Sequence, residues 1–169
     1  MKKYRDNGAI GALLDEYERS IDDLKDVLAN ISHNEFKLIA DPDATDANCR
    51  SVQTVLTHVV HMGYWYIDEI KKFQGEPIDY PKAKPLETIF DYQNALIDMF
   101  KYNTKFFKKN ADIALTEKDE DKKIKMKWKQ TYSVEQLIEH AIVHILRHRR
   151  QIERLLLNAK SKMAESSAD

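Results

Sequence analysis

Apolar residues along this chain recur mostly at steps of three and four, the spacing that gathers them on one helix face. Between Gly8 and Ser32 the series is Leu13, Leu14, Tyr17, Ile21, Leu24, Leu28 and Ile31, which predicts a first helix. His33 to Arg50 reads as a loop. Asp41-Pro42-Asp43 and the Asp/Asn run to Asn48 are turn chemistry, because short polar side chains bond the nearby backbone. Ser51 is a good N-cap for a second helix carrying Val52, Val55, Leu56, Val59, Met62, Tyr66, Ile70 and Phe73. Gly75-Glu76-Pro77 stops it. Pro81 and Pro85 break the next connector. A third helix is predicted from near Leu86 to about Asn110, with Ile89, Phe90, Leu96, Ile97, Phe100, Phe106 and Phe107 on its core face. Ile124 to Lys129 then alternates apolar and basic residues, the period of a half-buried strand, and predicts a short extended lid. Ser133-Val134-Glu135-Gln136 is a capping box opening a fourth helix that runs to about Asn158. Four long amphipathic helices predict an all-α, four-helix bundle forming a single domain over residues 1–159. Small and polar residues make 160–169 a flexible tail.

Composition sharpens this picture. With 4 Gly and 4 Pro the chain lacks the turn formers an all-β fold requires. Charged residues reach 33%, above the roughly 25% norm, which fits helices with solvated outer faces. Lys+Arg 27 against Asp+Glu 28 gives a net charge of −1, and that balance argues against a dedicated nucleic-acid or membrane-surface binder. The six lysines of residues 118–129 are interleaved with Asp119, Glu120 and Asp121 and read as a solvated loop. Lys2, Lys3 and Arg5 are basic, but the apolar run that follows ends at Asp15, too early for a signal peptide. No stretch approaches a membrane span of about 18 apolar residues. One Cys excludes an intramolecular disulfide and points to a reducing, cytoplasmic setting.

The chemistry concentrates in histidine. Three of the six, His140, His144 and His148, fall in one nine-residue stretch, where uniform placement would put about 0.3. His144 and His148 continue the inward stripe of Leu137, Ala141, Ile152 and Leu155, at positions where a bundle normally places Leu. A buried imidazole without a partner costs about 1–3 kcal/mol, so two in consecutive turns need a shared reason. A divalent metal supplies one. Candidates for a third ligand are His58, His61, His33, Cys49 and carboxylates. The face centred near Val59 and Met62 has His58 at its margin and His61 nearly opposite, which favours His58. Cys49 lies nine residues earlier, roughly 13 Å away along a helix axis at 1.5 Å per residue, too far to join it. His61 reads as a surface side chain, and His33 and His140 as ordinary surface or half-buried ones. Arg147, Arg149 and Arg150 form a basic surround that either faces solvent or binds an anion beside the metal. Tyr64, Trp65 and Tyr66 read as packing, with Trp65 on the His58 side.

Two stretches, Cys49 to Trp65 (CRSVQTVLTHVVHMGYW) and Tyr132 to Leu155 (YSVEQLIEHAIVHILRHRRQIERL), carry a resemblance to the DinB/YfiT-like metalloenzyme superfamily. The second resembles that family's pattern of a His, three residues, a second His and Arg-Gly-Gln, here His144, His148, Arg149, Arg150 and Gln151. Arg150 stands where the family usually has Gly, a departure at a closely packed turn. The resemblance implies a bundle with one crossover connection and a metal, zinc or nickel, held by His58, His144 and His148. Three protein ligands leave coordination positions open, the catalytic rather than the structural pattern. Some members of that family use such a site for low-molecular-weight-thiol-dependent transfer or isomerisation, so a thiol S-transferase acting on a small-molecule substrate is the leading expectation. In it, Arg147 or Arg150 of the basic surround would orient an anionic group. The other expectation is a non-catalytic metal-binding or stress-related interaction bundle. Glu139 and Asp68 are the candidate bases, and aromatic helix faces make a homodimer an expectation as well.

Overall fold

The computed structural model describes residues 4–166, with side chains described as far as Lys162. Lys2 and Lys3, the basic start of the segment compared with a signal peptide, lie outside them. The first helix, α1, spans Gly8–Leu28 and buries Ile10, Leu14, Tyr17, Ile21, Leu24 and Leu28. It ends before the predicted Ser32 because Ser32 caps a further helix, α2 (His33–Lys37), within the segment expected to be loop. The Glu35 backbone N–H donates to Ser32 Oγ, and the Ser32 N–H donates to the Glu35 carboxylate at 2.9 Å. This reciprocal Ser-x-x-Glu box satisfies two otherwise orphaned donors, and it anchors Phe36, which is fully buried. A single 3₁₀ turn, Ala47–Cys49, follows, with the Asp46 side chain accepting from the Asn48 N–H.

The next helix, α3, spans Val52–Phe73 and is capped by Ser51 as expected, with Thr54 N–H donating to Ser51 Oγ at 3.1 Å. Gly75 adopts φ +89°, a left-handed conformation suited to glycine, where the helix terminates. The predicted core face holds along most of α3, but Phe73 is 51% exposed because it lies in the final turn beyond the bundle wall. Helix α4 spans Ile89–Lys109 and is set by a Thr88–Asp91 capping box rather than starting at Leu86. Phe90, in its first turn, is 69% exposed, whereas Leu96, Phe106 and Phe107 are buried.

Between α4 and α5 the chain forms a hairpin of β1 (Ile124–Lys125) and β2 (Thr131–Tyr132), with Ile124 opposite Tyr132 and Lys125 opposite Thr131. Its turn is closed by Met126 and Gln130, and Lys129 takes φ 70°. The predicted alternation holds from Ile124 to Lys127, with Ile124 and Met126 buried and Lys125 and Lys127 exposed. It fails at Trp128, which is 39% exposed, because only Ile124–Lys125 is strand and the chain turns between Met126 and Gln130. Helix α5 spans Val134–Ser166, eight residues beyond the expected end at Asn158. Its Ser133–Gln136 box forms in both directions. The tail expected from Lys160 overlaps its last turns and beyond Ser166 lies outside the described residues.

The four long helices form an all-α bundle. α1 packs mainly on α5 and α4, and α3 packs mainly on α4 and α5. The links from α1 to α3 and from α4 to α5 therefore join helices that do not share a main interface. At the α3–α4 contact Gly63 lets Met99 lie directly on the helix backbone: a Cβ there would meet Met99 Sδ at 1.7 Å. The α3–α5 contact is the one that builds the site. No described helix is long and apolar enough to cross a membrane.

Candidate metal centre

On α5 the buried stripe is Leu137, Ala141, Ile145, Ile152 and Leu155, and His148 belongs to it at 5% exposure. A leucine buried there would contribute about 1.5–3 kcal/mol from lost apolar surface, which an imidazole largely forgoes. Across the α3–α5 contact stands His58, half-buried at the edge of the Val55–Val59 face. The result is a cluster of three rings. His144 Nε2 lies 3.0 Å from His58 Nε2 and 3.1 Å from His148 Nε2. One ring nitrogen from each of the three falls within 4.8 Å of the others, and this group could hold a metal ion. The structure thus brings together His58, His144 and His148, from two helices and 86 residues apart in sequence at the widest bonded pair.

The donor set fits an ion. Two nitrogens bound to one tetrahedral zinc at 2.0–2.1 Å stand roughly 3.3 Å apart, and at right angles about 2.9 Å. The two observed spacings lie between these values, so they suit either geometry. The tautomer also fits. His148 Nδ1–H donates to Gln151 Oε1 at 2.8 Å, because an amide oxygen only accepts. That assignment leaves the His148 Nε2 lone pair facing the cluster, the arrangement in which an outer partner orients a ligating imidazole. In the sequence Gln151 is visible only as the end of the His148–Gln151 stretch. Its role follows from lying three residues after His148, one turn along the same helix face.

Electrostatics keep the rings neutral. Burial, reinforced by the neighbouring His148, pushes His58 down to about 4. Burial and then the charges of His148, His58, His140 and Arg147 push His144 to about 2. His148 is also lowered, chiefly by burial, with the Gln151 bond opposing. Neutral imidazole is the form that binds metal.

The surroundings sort the remaining candidates. His140 does not join the cluster. It stacks on Trp128 of the hairpin turn at 5.5 Å and 22°, and Tyr66 packs edge-on against both His140 and His144. Trp128 also meets Trp65 at 5.8 Å, so the hairpin forms an aromatic wall beside the α5 histidines. The Tyr66 hydroxyl is buried there with no hydrogen-bond partner among the described residues. His61, expected at the surface, is half-buried instead, and its pKa is lowered by burial and by Lys127. His33 is exposed on α2 against Phe36. Cys49 is a free, half-buried thiol outside the three-nitrogen group. Neither candidate base stands free in the cluster. Asp68 accepts from the Tyr102 hydroxyl and pairs with Lys71 at 3.8 Å, and Glu139 is exposed.

Arg149 reaches across to Asp23 of α1 at 3.1 Å and to Glu153 at 3.7 Å. Arg147 and Arg150 are exposed beside the cluster, and they line one cleft with Cys49, Gln151 and Arg154.

A model described as the DinB family matches residues 4–159. No curated protein matches the chain, and no solved structure does.

Proposed function

The chain belongs to the DinB family, and from that premise we propose that His58, His144 and His148 bind one divalent metal ion, zinc or nickel, in a metal-dependent enzyme. The observation that carries this reading is the convergence of three Nε2 atoms, two pairs of them 3.0 and 3.1 Å apart, in rings held neutral by burial. Imidazole suits both zinc and nickel. Three protein ligands leave room for water or substrate.

The reaction class we infer is transfer of a low-molecular-weight thiol to a small electrophile. When bound, the ion would supply Lewis acidity, stabilising the thiolate form of a thiol at the open position. This chain's own residues supply the rest. Gln151 holds His148 in the tautomer that presents Nε2. The hairpin stacks Trp128 on His140 at one side of the cluster. Arg147 and Arg150 are the residues assigned to orient an anionic group. The same reading places the protein in the cytoplasm, supported by its single cysteine. It takes the exposed apolar residues Val143, Leu146 and Leu157, which share one side of α5, as a homodimer contact.

A second reading, a metal-binding bundle without catalysis, is favoured by one observation: Asp68 is engaged by Tyr102 and Lys71, and Glu139 lies in solvent. Both readings require metal. Protein purified without an affinity-tag column or added metal should carry close to one ion per chain, and His144→Ala should lose it. Absence of metal in the parent protein, with no thermal stabilisation by zinc or nickel, would sink the site. A thiol-conjugation screen on metal-loaded protein separates the two readings: turnover abolished by His144→Ala supports the enzyme, and none across thiols and electrophiles supports the second.

A further inference from the structure

The cleft beside the histidines has a volume of about 360 Å³ and is lined by Cys49, Arg147, Arg150, Gln151 and Arg154. On a helix, steps of three and four put Arg147, Arg150 and Arg154 along one side. Like charges at that spacing repel, which disfavours the helix unless something offsets them. Acids are at hand on the neighbouring surface, yet Asp23 and Glu153 are both taken by Arg149. No carboxylate pairs with Arg147, Arg150 or Arg154 among the described residues. The chain as a whole carries a net charge of −1, so this concentration of unpaired cations is local.

We propose that this cleft is an anion subsite that takes a small molecule bearing two or more carboxylate or phosphate groups. The proposal rests on the reading of the histidine cluster as a metal centre and names the substrate class of that centre. Guanidinium groups match this chemistry, because each presents a planar fork of N–H donors that grips two oxygens at once. Gln151 joins the two sites. Its Oε1 accepts from His148, which leaves its amide N–H donors for a group in the cleft. An acidic ligand seated on the arginines therefore lies one side chain from a metal-binding imidazole. The thiol or electrophile of the reaction is accordingly an acidic one.

The test is isothermal titration of the full chain, metal-free and zinc-loaded, with succinate, inorganic pyrophosphate, and succinamide as the uncharged control. Succinate and pyrophosphate bind 1:1 in both forms, and succinamide does not. Arg150→Gln/Arg154→Gln weakens both anions at least tenfold, with zinc stoichiometry unchanged. Arg150→Lys/Arg154→Lys recovers only part of the affinity, because an ammonium cannot grip two oxygens in the same plane. The inference is overturned by no anion binding in either form, by binding that the Gln variant leaves unaltered, or by binding confined to the zinc form. Tighter binding of a single-stranded oligonucleotide than of either small anion, at equal salt, also overturns it in favour of a nucleic-acid surface. Zinc titration of the same samples reads the metal centre independently: its failure leaves the anion result standing, and the reverse.

Discussion

His148 occupies a leucine position at 5% exposure, and its setting shows how one substitution on an apolar stripe becomes chemistry. Its Nδ1–H is held by Gln151, and its other nitrogen faces His144. In the metal-free protein such rings make stability depend on pH. Burial depresses the folded pKa of His58 from 6.5 to about 4, and that of His144 further. Between those values and 6.5 the unfolded chain binds more protons than the folded one, so acid favours unfolding. The stabilising contribution is therefore complete above about 6.5 and is lost as pH falls toward 4. We expect the melting temperature of metal-free protein to decline from pH 7 to pH 5, a window above the ordinary carboxylate range. His144→Gln should flatten that decline. A melting temperature that does not change across the window would show that the rings are not buried as described. Arg147 and Arg150, one residue from His148 and two from it, illustrate the limit of periodicity. Their type and spacing are visible in the sequence, but whether they pair with acids is not.

At the scale of elements, capping chemistry decided most boundaries. Ser51, Thr88 and Ser133 each accept a backbone N–H and begin α3, α4 and α5. Ser32 does the same for α2. That five-residue helix escapes a search for hydrophobic periodicity, since it is too short to repeat a face, yet its Ser-x-x-Glu box was legible. The Ser133 box matters most for the site, because α5 carries two of the three histidines and begins directly after the hairpin. Ser133→Ala should cost about 0.5–2 kcal/mol, read as a lower urea midpoint, with metal stoichiometry intact because His144 lies three turns away. Loss of metal binding in this variant would show instead that the cap positions the ligands. Phe73 and Phe90 carried the right spacing and still ended outside the core. Each sits in a terminal turn, where the neighbouring helix no longer covers it.

For the molecule as a whole, the cluster ties α3 to α5, two helices joined in the chain only through α4 and the hairpin. An ion bound there to the folded state alone would stabilise it by mass action, about 2.7 kcal/mol at a hundredfold excess over Kd. For a chain of this size that corresponds to roughly 5–10 °C in melting temperature. Amide exchange should slow in both α3 and α5 on adding zinc. Slowing in α5 alone would mean that His144 and His148 bind without His58. By itself the sequence determined the four long helices, the caps of α3 and α5, the alternation of the hairpin and the His144–His148 stripe. These depend on contacts within a few residues, which local spacing encodes. Only the tertiary structure decided that His58 meets His144, that His140 turns to Trp128, that Asp68 is engaged, and that three arginines share one cleft. Such facts depend on how helices distant in the chain rotate against one another, and a period of 3.6 residues says which face is buried but not what it meets.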